Sequence, residues 1–296
     1  MPSSSPRVSP RISRSVPGMT SIFSSASLAA LVYLGLAPRL NKLLYRPMLF
    51  FPTRFPSDWG GNPVLHEIEG EDLFFQGKMG QRLHGWYFKN PGSRFTMLIS
   101  HGNSGNITIR DKLADIGLSS GCSVFVYDYQ GFGLSTGKPS VEGICDDAEA
   151  AYDCLTGELE VAGSDIIFYG ESLGAAVSTY LSTVRGCSAI ILQSGFASLK
   201  RIAGEHFPLL NLYPPSLFPK PALDSVSILK QEHPPLLLIH GDRDRVIGVE
   251  HSETMFAEAV SRKKFLRLPM TAHADIWDTA RHEVVTAIKE HLGSLD

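Results

Sequence analysis

The chain has 296 residues, 43% of them hydrophobic, which is enough to bury one large core, and α/β chains of this length are often a single domain. Residues 1–57 hold seven basic side chains (Arg7, Arg11, Arg14, Arg39, Lys42, Arg46, Arg54) and no acidic one, so the rest carries 20 basic against 30 acidic. A body this acidic does not collect phosphates, which excludes nucleic acid as a partner.

Residues 1–19, rich in Ser, Pro and Arg, are expected to be disordered. From Ser15 to Pro38 no residue is charged, and "SLAALVYLGLAP" (Ser27 to Pro38) is the apolar centre of that run. A membrane-spanning helix needs about 20 apolar residues. The run is long enough, though diluted by serines, and is read as a single-pass membrane anchor over 20–42. The alternatives are a cleaved signal peptide or a transit peptide, which would make the protein secreted or organellar. Basic residues on both sides leave the orientation open.

Residues 43–296 form the expected catalytic domain. "LHEIEGEDLFF" and "RLHGWYF" alternate in the manner of an antiparallel opening ribbon. Continuous apolar runs follow, of the kind parallel strands need when helices cover both faces: "FTMLIS", "SVFVYDY", "DIIFYG", "AIILQS", "PLLLIHG" and "KFLRLP". Helical stretches such as "VEGICDDAEAAYDCL" and "GAAVSTYLSTV" lie between them. The alternation specifies a mostly parallel, doubly wound α/β sheet.

In "DIIFYGESLGAAVSTY" (Asp165 to Tyr180) a strand breaks into Gly-Glu-Ser-Leu-Gly and resumes as a small-residue helix with no loop between. G-x-S-x-G in that context is a nucleophile elbow, holding Ser172 in a strained turn with its hydroxyl at the top of the sheet. Side chains two before and two after would collide, which Gly170 and Gly174 avoid. A serine hydroxyl needs a base in hydrogen-bond reach and an acid to orient that base, in the chain order Ser, Asp or Glu, His. After "PLLLIH" come Asp242 and Asp244, and one of them should face the base. Of ten histidines, His273 alone stands on the loop directly after the last strand, before the last helix. His101 and His240, at strand ends, read as local packing groups, and His206, His251, His282 and His291 as surface residues.

"SHGNSGN", "YDYQGFGLSTGKPS", "GESLG", "HGDRDRVI" and "AHADIW", in this order, resemble the successive motifs of α/β-hydrolase-fold serine hydrolases. More narrowly they resemble the small membrane-anchored subgroup of α/β-hydrolase-domain proteins, which includes depalmitoylases, lipid hydrolases and serine-aminopeptidase-like sequences. "LLYRPMLFFPTRFP" (Leu43 to Pro56) fits the same subgroup. The resemblance implies an α/β-hydrolase fold, Asp244 rather than Asp242 as the acid, and oxyanion-hole amides at Asn103 and Leu173; many relatives carry a large lid after the strand "AIILQS", where this chain has only a short proline-rich excursion, a minimal cap. One departure is Gly195 in "LQSGFASL", where relatives commonly have proline.

The expected reaction is hydrolysis of a carboxylic ester or thioester by Ser172, His273 and Asp244, which calls for no cofactor. The four cysteines sit at no metal-like spacing and read as reduced thiols, and no H-E-x-x-H, Walker or G-x-G-x-x-G pattern appears, so no metal or nucleotide is expected. "FPLLNLYPPSLFPKPALDS" (Phe207 to Ser225) suits an acyl-chain groove or a structural crossover. With a membrane tether it points to acyl-lipid or acyl-protein substrates. A peptidase on the same triad would need an acid for the substrate amine, with Glu171, Glu205 and Asp224 as candidates. A scaffold without turnover is the remaining alternative.

Overall fold

The computed structural model describes residues 19–295, so most of the tail expected to be disordered lies outside the described residues. Its centre is an eight-stranded sheet: β1 (Glu71–Gln76), β2 (Arg82–Phe88), β3 (Thr96–Ser100), β4 (Ser123–Asp128), β5 (Ile166–Glu171), β6 (Ala189–Gln193), β7 (Leu236–Gly241) and β8 (Lys263–Leu268). The spatial order is β1-β2-β4-β3-β5-β6-β7-β8. The pairs β1·β2 and β2·β4 are antiparallel, and every later pair is parallel. β3, β4, β6 and β7 are buried at every position, which is what a strand covered on both faces requires.

The helices in chain order are α1 (Met19–Gly35), α2 (Lys42–Leu49), α3 (Asp111–Ser119), α4 (Val141–Gly157), α5 (Leu173–Leu181), α6 (Leu199–His206), α7 (Ser225–Leu229), α8 (Glu250–Glu258), α9 (Ile276–Thr279) and α10 (Arg281–Leu292). Alternate residues of each strand feed opposite cores, because successive side chains of a strand point to opposite faces. Leu98, Phe125 and Phe168 pack with Ile144, Ala148 and Leu155 of α4 and Val177 of α5. Met97, Ile99, Val124 and Ile167 pack on the other face with Ile116 of α3 and Ile288 of α10. All four cysteines are unpaired thiols, and burial pushes Cys122 up to about 12.

The front end overturns the membrane assignment. Among the described residues no helix is long and apolar enough to cross a membrane. At 17 residues, α1 spans about 26 Å, short of the roughly 30 Å hydrocarbon core. It stops at Gly35, and the chain turns back onto the body instead of continuing. Tyr33 stacks on Tyr213 with ring centroids 4.6 Å apart, Ala37 is fully buried beside Tyr213 and Phe218, and the Arg39 N–H donates to Leu217 O (2.8 Å). The single-pass location, and the membrane partner assigned to residues 20–42, are therefore withdrawn.

Candidate active site

Every element carrying a candidate residue ends at the same edge of the sheet, the C-terminal ends of the parallel strands, where doubly wound sheets bind ligands. β5 runs into Ser172, which caps α5 with φ 55° and ψ −116°, a left-handed backbone that costs a non-glycine residue about 1–3 kcal/mol. Its N–H donates to Gln193 O on β6 (2.9 Å), tying the turn to the neighbouring strand. The flanking glycines are required, for two separate reasons. A Cβ at Gly170 would lie 2.2 Å from Gly174 O, whereas a Cβ at Gly174 would lie 1.9 Å from Ser100 O at the end of β3. Only the first is the collision across the elbow that symmetry suggests.

Asp244, in the turn after β7, accepts at Oδ1 from the backbone amides of Val246 (2.9 Å) and Ile247 (2.8 Å). Its Oδ2 accepts from His273 Nδ1 at 2.6 Å, with His240 Nε2 3.3 Å away. Burial alone would raise its pKa. Hydrogen bonds from His240 and His273, the His273 charge and the Ile247 amide reverse that and hold the carboxyl well below the usual carboxylate range. Asp242 faces the other way, bonded to Arg267 Nε at 2.9 Å. The loop carrying His273 passes so close to β7 that a Cβ at Gly241 would lie 2.3 Å from Thr271 O, so this junction also demands glycine.

Ser172 and His273 both line one cavity of about 600 Å3. Leu173 opens α5, so its amide lacks an intrahelical partner by position. The loop after β3 brings Asn103 to the same wall. The preceding residue is held at both its backbone groups: Gly102 O accepts from His101 Nδ1 (2.7 Å), and Gly102 N donates to Glu171 Oε2 (3.2 Å).

The remaining walls are mostly apolar. α6 and the crossover supply Leu199, Ile202, Phe207 and Phe218, and the chain before β1 supplies Leu44, Tyr45, Met48, Leu49 and Phe51. The sequence placed these residues inside the catalytic domain of 43–296 but assigned them no part in the cavity wall. Arg110, also missed, lines the cavity with its Nε 3.6 Å from Glu171 Oε2.

Of the three acids considered for an amine site, only Glu171 reaches the cavity, and Arg110 faces it there. Glu205 is bonded to Arg201 and His251, and Asp224 caps α7 through Ser227. His251 is buried, accepting from the Ala197 amide, and His291 is buried in α10, so neither is the surface residue expected. His240 and His101 are fully buried and bonded locally. Gly195 packs against α5, where a Cβ would meet Ala175 Cβ at 2.7 Å, leaving no room for a proline.

The sheet order, the elbow and the strand-end loops together define an α/β hydrolase. The chain belongs to the α/β-hydrolase-domain-containing proteins of the serine-aminopeptidase-like group: residues 92–227 match the family described as serine aminopeptidase, S33. An uncharacterised protein of Mycobacterium tuberculosis is 34% identical over 78% of this chain and 80% of its own length. The α/β hydrolase domain-containing protein WAV2 of Arabidopsis thaliana is 32% identical over 80% of this chain and 82% of its own. Among solved structures, the esterase Pf2001 of Pyrococcus furiosus superposes with a TM-score of 0.68 at 21% identity, covering 83% of this chain and 97% of that one, a likeness of fold.

Proposed function

We propose that this hydrolase cleaves carboxylic esters or thioesters of long acyl chains, with Ser172 as nucleophile, His273 as base and Asp244 as the acid that orients it. The observation that carries the reading is the 2.6 Å bond from His273 Nδ1 to Asp244, with His273 and Ser172 in the wall of one apolar cavity. Fixing the Nδ1 proton on Asp244 leaves Nε2 as the proton acceptor. Nε2 takes the Ser172 proton as Oγ attacks the acyl carbonyl, and the buried carboxylate stabilises the imidazolium that forms. Charge growing on the carbonyl oxygen is met by the amides of Asn103 and Leu173, and loss of one such donor typically costs roughly 3 kcal/mol of barrier. The protonated His273 delivers its proton to the departing alkoxide or thiolate. A water deprotonated by the same nitrogen then releases the acid and regenerates Ser172.

The cavity falls within the roughly 300–1,000 Å3 usual for small-molecule sites, and its apolar walls suit an alkyl chain better than a peptide. Peptidase action at a free N-terminus is disfavoured because Glu171, the one acid lining the cavity among the described residues, already faces Arg110. A p-nitrophenyl ester series from acetate to palmitate should show kcat/KM rising with chain length, beside fluorophosphonate labelling that Ser172→Ala abolishes. A preference for acetate would refute the acyl-chain assignment. Failure of the wild type to label would refute the catalytic one and favour a scaffold.

A further inference from the structure

The chain between α2 and β1 does more than wall the cavity. Residues 51–52 pair in parallel with 104–105, Phe51 opposite Ser104 and Pro52 opposite Gly105. The Phe51 N–H donates to Asn103 O (2.8 Å) and the Thr53 N–H to Gly105 O (3.0 Å). Asn103 returns the contact from its side chain, Nδ2 donating to Leu49 O at 2.8 Å. Asn103 is thus gripped by its carbonyl and its amide side chain from one short strap, while its own backbone N–H stays turned to no partner in that strap.

The strap is tied to the body chiefly at its far end, where Thr53 O accepts from the Gly133 amide (2.9 Å) and Thr53 Oγ1 accepts from Asn106 Nδ2 (2.9 Å). α2 has no fully buried residue, and its Lys42–Glu142 ion pair (3.2 Å) is exposed. Phe50 is the buried anchor, packed into the core beneath. A peptide amide serves as an oxyanion donor only when held near 2.7–3.1 Å from where the charge develops. His101 and Glu171 fix the Gly102 end of that peptide, and among the described residues the Asn103 side chain is held by the strap, through Leu49 O.

We propose that residues 49–53 are a positioning element for the oxyanion hole and that the Asn103 side-chain amide is its link. The inference rests on the assignment of the Asn103 backbone amide as an oxyanion donor. It makes the front of the chain part of the catalytic machinery, acting through orientation and touching no reacting atom.

The test uses full-length Asn103→Ala and Asn103→Asp, both of which keep the backbone N–H. Alanine removes the bond to Leu49 O, and aspartate sets an oxygen against it. With p-nitrophenyl butyrate, and kcat expressed per fluorophosphonate-titrated Ser172 so that misfolded protein is not counted, kcat should fall about 10- to 100-fold with KM within about threefold. The rate of phosphonylation should fall in parallel, because the phosphonyl oxygen occupies the same hole. Lys42→Ala, which loosens α2 without touching the link, should keep the wild-type kcat. Unchanged kcat in both Asn103 variants, or a rise in KM alone, would overturn the proposal while leaving a labelled, active Ser172 intact. A wild type that neither labels nor turns over would overturn the triad reading itself.

Discussion

Replacing Asp244 by asparagine separates the two acids of the β7 turn, and the structure dictates which way the new amide points. Oδ1 accepts two backbone N–H bonds, from Val246 and Ile247, so the asparagine oxygen must occupy that place and the NH2 group must face His273 Nδ1. A donor opposite Nδ1 forces the ring proton onto Nε2, the nitrogen that has to accept the Ser172 proton. The variant loses the base in its reactive tautomer and the charge that stabilises the imidazolium, while the two turn bonds and the fold survive. A fall in kcat of about 10³–10⁴-fold is expected, ~4–5.5 kcal/mol of barrier at about 1.4 kcal/mol per decade. Asp242→Asn removes only the exposed pair with Arg267 and should stay within about twofold. Steady-state hydrolysis of p-nitrophenyl esters on matched, active-site-titrated samples reads both. An Asp244→Asn enzyme within tenfold of wild type, or an equal loss in Asp242→Asn, would show that the 2.6 Å bond does not orient the base.

Gly174→Ala places a Cβ against the backbone of Ser100 and His101, atoms that cannot swing aside, so a stability loss on the order of 2–4 kcal/mol is expected together with loss of Ser172 labelling, read by urea unfolding and gel fluorescence. His291 bears on the pH dependence of stability: burial first, then the nearby Lys264 and Arg262 charges, push it down to about 4. The unfolded chain binds this proton below about pH 6.5 and the folded one only near 4, so the stability it contributes is present above 6.5 and lost as the pH falls towards 4, by about 3 kcal/mol. His291→Asn, which keeps a donor near Pro235 O and cannot titrate, should lose that much less between pH 7 and 4. Equal pH slopes in the two proteins would mean that His291 titrates normally.

The sheet was legible because its central strands β3, β4, β6 and β7 are buried on both faces and read as unbroken apolar runs, a signal that a polar face would have diluted. Chain order did the same for the candidate residues: His273 and Asp244 stand where strand-end loops bring them together, whatever the loops' detailed path. Histidines away from strand ends gave no such purchase. His251 and His291 sit on helices with polar neighbours in sequence, and what buries them, the Ala197 turn and the β7 entry, comes from remote parts of the chain. Arg110 was illegible for the same reason, since its place beside Glu171 depends on how the loop after β3 folds back.

The front end exposes a limit of a different kind. Hydropathy measures how much a segment gains by leaving water, and the gain is the same whether the apolar neighbour is lipid, a protein core or the inside of a ligand cavity. Length and continuity are what discriminate, and here both fail for a membrane: α1 ends after 17 residues, and the apolar residues of α2 are interrupted by Lys42 and Arg46. Those interruptions suit a segment that lies across a cavity mouth, with Leu44, Tyr45, Met48 and Leu49 lining the cavity and Lys42 left exposed. A chain that closes its cavity with its own front end requires only a short crossover after β6, which accounts for the proline-rich stretch where a larger cap could have stood. It also makes the proposed acyl pocket and the Asn103 loop neighbours of one strap, so substitutions along 44–51 should change chain-length preference and turnover together, whereas substitutions in the crossover should change chain-length preference alone.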